Sequence, residues 1–120
     1  MSGLADHFRV VARVVAWIGL LAIVVLSVVP ATERPMTGSG STVEHFAMFA
    51  LVAGAFALGY ELALIRLAVL ALLFCGGIEL LQIPLPTRHA RLGDFVIDFV
   101  ASCLAICAVR GMQKICARYW

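Results

Sequence analysis

The sequence predicts an all-α integral membrane protein in which four transmembrane helices form a small antiparallel bundle. Three observations predict it: the composition, four apolar segments of similar length, and basic residues that collect near the termini. Of the 120 residues, 63% are hydrophobic and 13% are charged, whereas soluble domains carry about 25% charged residues. A soluble domain of this length leaves much of its chain at the surface, so it could not bury so many apolar side chains. The mean hydropathy of +1.05 agrees with a lipid environment.

The apolar segments each hold about 18–20 residues, close to the ~20 that a helix needs to cross roughly 30 Å of hydrocarbon. Helices are expected because lipid offers no hydrogen-bonding partner to an open backbone. The predicted transmembrane helices are residues 10–29, 43–60, 65–83 and 93–110. The first apolar run is longer than the core of a secretory signal peptide, so we expect it to be retained as a helix.

The connections between these segments carry turn-forming residues. Prolines and glycines predict an irregular loop over residues 30–42. Residues 61–64 are expected to form a short turn, and Pro84 ends the third helix because proline cannot continue one. The chain has no internal repeat and no shift in composition, so residues 1–120 are expected to form a single membrane domain.

Basic residues set the expected orientation, because short cytoplasmic loops are enriched in Lys and Arg. Those near the two termini are Arg9, Arg13, Arg110, Lys114 and Arg118. Both termini are therefore predicted in the cytoplasm, and residues 111–120 are interpreted as a basic tail on a helical extension that contacts anionic lipid head groups. Arg88 and Arg91 depart from this rule, so either the rule is only a bias here or these two arginines have a separate role that keeps them on the outer side.

Small and aromatic residues give weaker signals. Gly54 and the Gly76–Gly77 pair are predicted to allow close packing between helices. Trp17 and Tyr60 are predicted to lie at the cytoplasmic membrane interface, where both residue types are enriched.

Polar side chains collect at one end of the predicted bundle. In the orientation above, the outer ends of the helices and the loop after the third helix carry Glu44, His45, Glu79, Gln82, Arg88, Asp94 and Asp98. Glu79 and Gln82 are three residues apart, so they share one face of a helix. Asp94 and Asp98, four apart, also share a face. The cytoplasmic halves of the helices hold few such groups, and Glu61 is interpreted as an ordinary turn residue.

The carboxylates are the most informative members of this cluster. A charged side chain at the centre of a transmembrane helix costs about 2.5–3.5 kcal/mol on insertion scales. The positive end of the helix dipole accounts for Glu44 and Asp94 in first turns, but it accounts less well for Glu79 and Asp98, which lie deeper. We therefore predict a binding site formed by this cluster.

Two segments resemble the VanZ-like family of small bacterial membrane proteins. "VEHFAMFALVAG", residues 43–54, resembles the family segment DKxxHFxxY. "ELLQIPLPTRHARLGDFVIDFVA", residues 79–101, resembles its block E-x-x-Q … R-x5-D-x3-N-x2-G. The matched positions of the block are Glu79, Gln82, Arg88, Asp94 and Asp98. The chain departs from the pattern with Asp98 for the usual Asn, Ala101 for Gly, and Glu44 where Lys is common.

The resemblance implies a location and a setting. The family consists of multi-pass proteins of the bacterial cytoplasmic membrane, and its namesake is linked to low-level resistance to the glycopeptide teicoplanin, acting at the cell envelope. It implies no settled reaction. The interpretation that follows is an envelope accessory or binding protein that contacts the lipid bilayer and a lipid-linked or cell-wall intermediate.

Other functions stay open at this stage. The polar cluster could serve as a structural clamp between helices without a ligand. An intramembrane enzyme acting on a lipid head group would use Glu79 or Asp94 as a general base, with Arg88 stabilising developing negative charge. Ion translocation would require polar groups through the whole membrane thickness. Binding without catalysis is favoured over an enzyme, because no nucleophile with its base is evident.

Composition and motifs exclude some partners and cofactors. The net charge of +2 and the lack of a basic run with interleaved aromatics argue against nucleic-acid binding. The cysteines and histidines show no metal-ligand spacing. We therefore predict neither a metal site nor a cofactor.

Overall fold

The computed structural model describes residues 2–29, 41–84 and 92–119. Within them the chain forms four α-helices, which are α1 (Ser2–Val28), α2 (Ser41–Gly59), α3 (Leu64–Gln82) and α4 (Leu92–Tyr119). In this described part the prediction of an all-α fold with four helices is confirmed. Each helix contains a stretch long and apolar enough to cross a membrane. The orientation with both termini in the cytoplasm stays a prediction.

Two helices are longer than the apolar segments that predict them. Helix α1 begins at Ser2, well before residue 10, and α4 continues to Tyr119. The predicted basic tail is thus a direct continuation of α4. The tail holds no proline, and its single glycine, Gly111, costs an exposed helix only about 1 kcal/mol.

The helices alternate in direction along the chain and leave two chemically different ends. Helix α2 packs extensively on α4 and on α1, α3 packs on α4, and α1 packs only slightly on α3. We call the end with the first turns of α2 and α4 the acidic end, because it carries Glu44, Glu79, Asp94 and Asp98. The opposite end, with Arg9, Arg13 and Arg110, is the basic end.

The interior is apolar and forms two clusters of buried side chains. The first, toward the acidic end, contains Ile23, Phe49, Val52, Cys75, Ile78 and Ala101. The second, toward the basic end, contains Ala53, Ala57, Leu67, Ile106 and Val109. Helix α1 contributes Ile23 to the first cluster, but the second is built from α2, α3 and α4. Many large apolar side chains face outward, which suits helices surrounded by lipid.

Glycines bring α1 and α2 close together. A Cβ atom on Gly59 would lie 2.8 Å from Cγ of Arg13 and 3.1 Å from its backbone nitrogen. A Cβ atom on Gly19 would lie 2.7 Å from Cγ2 of Val52. These are the close approaches that small residues permit in membrane bundles.

The sequence-based interpretation of the glycines was wrong at one position and incomplete elsewhere. Gly77, expected at a helix contact, has open space within 4 Å of where its Cβ would be. The Cβ position of Gly54 is at ordinary contact distance, 3.8 Å, from α4 side chains. Spacing along one helix does not specify which face meets a neighbour, so Gly19 and Gly59 could not be distinguished from Gly77.

Replacing Gly59 with alanine should destabilise the bundle. The new methyl group would press on the backbone of α1, and overpacking of this kind typically costs about 1–3 kcal/mol. We expect a lower midpoint of thermal unfolding in detergent, followed by circular dichroism. The matched control is Gly77→Ala, which adds the same methyl group in open space and should leave the midpoint unchanged or slightly raised. Equal midpoints for the two variants would contradict the close approach.

Candidate functional site

The acidic end brings together most of the residues that the sequence predicts as a site. Gln82 and Asp98 are buried, and Glu44, His45, Glu79 and Asp94 are half-buried. They come from α2, α3 and α4, whose starts and ends meet there. Arg88, predicted as the cation of the site, lies outside the described residues, as do His89 and Arg91.

His45 and Asp98 form the central contact. Nδ1 of His45 lies 3.1 Å from Oδ1 of Asp98 and joins the first turns of α2 and α4. Asp98 is only 2% exposed, and the His45 ring lies parallel to that of Phe49, with 6.3 Å between the ring centroids. Ser102 donates a hydrogen bond to the backbone oxygen of Asp98, at 2.8 Å. The carboxylate therefore sits inside the bundle with a nitrogen partner fixed by an aromatic neighbour.

A second polar contact joins α1 and α3. Nε2 of Gln82 donates to the backbone oxygen of Ser27 over a long 3.4 Å, and both residues are buried. Ser27 in turn donates its hydroxyl to the oxygen of Ile23, at 2.6 Å. Sequence reasoning missed Ser27, although an isolated serine near the end of an apolar helix was a signal for it.

The remaining acidic residues lie around these two contacts. Glu44 and Asp94 occupy the first turns of α2 and α4, where the helix dipole favours negative charge. Glu79 lies one turn before Gln82 on α3, with its Oε1 atom buried. Ionised carboxylates accept hydrogen bonds but cannot donate them. These acidic side chains therefore suit a ligand with hydroxyl, amine or other donor groups.

The described part of the chain contains no group of three or more His, Cys, Asp and Glu side chains placed to hold a metal ion. His45 and Asp98 form a pair rather than part of a ligand set. The chemistry that the described residues offer is hydrogen bonding and charge.

The basic end contains an interaction network that sequence reasoning missed. Nε of Arg13 donates to the backbone oxygen of Gly59 at 2.7 Å. Nη2 of Arg110 donates to the oxygens of Tyr60, at 2.9 Å, and Leu62, at 2.7 Å. The last carbonyls of a helix lack partners within it, and these two arginines provide partners where α2 ends.

Aromatic and acidic residues complete that network. Nε1 of Trp17 donates to the hydroxyl of Tyr60 at 2.9 Å, and Cζ of Arg13 lies 4.8 Å from the centroid of the Tyr60 ring. Arg9 pairs with Glu61 across 2.5 Å at the surface. Glu61 does lie in the turn between α2 and α3, as expected, but its pairing with Arg9 was not predicted. The contacts of this end were missed because each joins residues that are far apart in sequence.

Comparison with protein-family models, curated proteins and solved structures finds no match to the chain. The resemblance to the VanZ-like family stays a prediction from the sequence segments.

Removing the Asp98 carboxylate should destabilise the bundle. Asp98→Ala leaves His45 without its acceptor in a half-buried position, and losing such a partner typically costs about 1–3 kcal/mol. Asp98→Asn keeps an acceptor oxygen and should cost less. Thermal unfolding in detergent measures both, with Asp6→Ala, at an exposed position of α1, as the control. If Asp98→Ala unfolds at the wild-type temperature, the contact does not hold the helices.

Removing the guanidinium of Arg110 should destabilise the basic end. Arg110→Met keeps an apolar side chain but loses the hydrogen bonds to Tyr60 and Leu62, and bonds from charged groups contribute about 1.5–3 kcal/mol each. Lys114→Met removes an exposed charge from the same helix and serves as the control. We expect a lower unfolding temperature for Arg110→Met alone. A fall of equal size in both variants would assign the effect to net charge.

Proposed function

We propose that this protein is a multi-pass protein of the bacterial cytoplasmic membrane, similar to the VanZ-like family, that binds an envelope ligand at its acidic end. The supporting observation is the buried Asp98 paired with His45 in a helix apolar enough to span the membrane. Ionisable residues within such helices are costly and mark functional sites more often than not.

The ligand class follows from the groups around this pair. Glu44, Glu79 and Asp94 offer carboxylate oxygens to hydroxyl and amine donors, which sugars and peptides carry in abundance. A lipid-linked or cell-wall intermediate combines such a head group with an apolar chain that stays in the membrane. The part assigned to Arg88, binding a phosphate or carboxylate of the ligand with two parallel hydrogen bonds, rests on the sequence alone.

A structural polar clamp is the second candidate. The observation that favours it is that the His45–Asp98 and Gln82–Ser27 contacts each join two different helices. Interhelical hydrogen bonds in membranes contribute only about 0.6 kcal/mol on average. The helix dipole accounts for Glu44 and Asp94, but a clamp of two such bonds offsets little of the cost of the deeper Glu79 and Asp98, so the binding function is preferred.

Binding can be measured directly with a purified ligand. The probe is a disaccharide-peptide linked to undecaprenyl pyrophosphate, added to the detergent-solubilised protein and detected by native mass spectrometry. We expect wild-type protein to retain it, and Asp94→Asn and Arg88→Ala each to weaken retention roughly tenfold, equivalent to about 1.4 kcal/mol. Glu61→Gln, at the basic end, is the matched control and should bind as wild type does.

The unfolding temperature separates the two candidates. Binding predicts that Asp94→Asn loses ligand while its unfolding temperature stays at the wild-type value. A clamp formed by His45–Asp98 and Gln82–Ser27 predicts that no form of the protein retains the probe, while Asp98→Ala lowers the unfolding temperature. Expression in a teicoplanin-sensitive bacterium gives a second readout, since the resemblance implies a raised inhibitory concentration that Asp94→Asn and Arg88→Ala would reverse.

A further inference from the structure

A cavity of about 400 Å³ lies inside the bundle, from its middle toward the basic end. All four helices contribute to its wall, which is almost wholly apolar. The residues that line it include Trp17, Phe49, Tyr60, Leu67, Ala71 and Ser102. Its volume falls in the range of about 300–1,000 Å³ that is usual for ligand sites, and it exceeds the ~150 Å³ of an engineered apolar cavity that binds benzene.

The helix packing explains why the space exists. Close approach at Gly19 and Gly59 holds α1 against α2. Helix α1 meets α3 near the acidic end, through Ser27 and Gln82, but it is absent from the buried cluster toward the basic end. Because the two helices pack only slightly on each other, we infer that the cavity opens to lipid between α1 and α3 toward that end.

The residues at the basic end of the cavity indicate membrane-interface depth. Trp17 is 55% exposed although it lines the cavity, and its indole nitrogen is bonded to the Tyr60 hydroxyl. Tryptophan and tyrosine favour the level of the lipid head groups. This end of the cavity is thus placed where phosphates of one leaflet lie.

Positive charge exceeds negative charge at the same end, where Glu61 is paired with Arg9. Arg13 lies over the Tyr60 ring, and Arg110 is bonded to the backbone of Tyr60 and Leu62, two residues of the cavity wall. Arg66 is exposed, directly precedes Leu67 in the wall and lies one turn from Leu70, which also lines it. An arginine in the first turn of a helix can extend its side chain toward the interface.

We propose that the cavity binds one acyl chain of an anionic phospholipid, which enters between α1 and α3 at the basic end and places its phosphate beside Arg66. The chain fills an apolar space that water would not occupy, and the arginines select negative head groups. The entrance to this site lies at the opposite end from the proposed envelope ligand, and lipid binding there does not require that ligand.

The test uses native mass spectrometry of the full chain released from detergent with defined lipids. The probes are phosphatidylglycerol and phosphatidylcholine with the same acyl chains, so they differ only in the head group, which is anionic in the first lipid and zwitterionic in the second. Ala71→Leu fills the cavity, and Ala108→Leu adds the same atoms at an exposed position of α4. Arg66→Gln removes the head-group contact, and Lys114→Gln removes an exposed charge further along α4.

The proposal predicts one phosphatidylglycerol per wild-type chain, retained in preference to phosphatidylcholine. Ala71→Leu should lower retention of both lipids roughly tenfold, whereas Ala108→Leu should not. Arg66→Gln should remove the preference for phosphatidylglycerol, and Lys114→Gln should keep it. Full retention by a folded Ala71→Leu protein would overturn the cavity as the site. Equal retention of the two lipids by wild-type protein, or an unchanged preference in Arg66→Gln, would overturn the anionic lipid.

Discussion

The end of α2 is the constraint on which the rest of this bundle depends. Its last carbonyls need partners, and Arg13 from α1 and Arg110 from α4 supply them. Hydrogen bonds from charged groups contribute about 1.5–3 kcal/mol, against about 0.6 kcal/mol for an average interhelical bond in a membrane. These contacts draw both neighbours onto α2 and, through Leu62, fix the turn that starts α3. The separation of α1 from α3, and with it the cavity, follows from this arrangement.

The acidic end is joined by fewer polar contacts between helices. Its contacts, His45 to Asp98 and Gln82 to Ser27, are few, and the second is long at 3.4 Å. A charge at the centre of a helix costs about 2.5–3.5 kcal/mol on insertion scales, and Asp98 lies in the second turn of α4 rather than at its centre. Among the described residues, the basic end is thus joined by more polar contacts than the acidic end.

The sequence predicts the helices well and their contacts poorly, for a physical reason. The length of an apolar segment and the position of a proline can be seen in the local sequence, so the four helices and the ends of α2 and α3 were predictable. The gathering of Glu79, Asp94 and Asp98 at one end followed from the alternating direction of the helices. Which helix faces which does not follow from the sequence of one chain, because lipid accepts almost any apolar face. Arg13 therefore indicated only the orientation, and its contact with Gly59 was not predicted.

The two proposed sites share a wall, through which binding at one site can be coupled to binding at the other. Phe49 lines the cavity and lies parallel to the ring of His45. Ser102 also lines the cavity and is bonded to the backbone of Asp98. An acyl chain that reached this depth would touch the residues that position the His45–Asp98 pair. Any coupling of this kind is reciprocal. If the lipid changed the affinity for the envelope ligand by some factor, the envelope ligand would change the affinity for the lipid by the same factor. Ala71 lies on α3, in the partly buried layer around the second cluster, and it is not one of the residues of the shared wall. A larger side chain at position 71 therefore affects the lipid site more directly than it affects the His45–Asp98 pair.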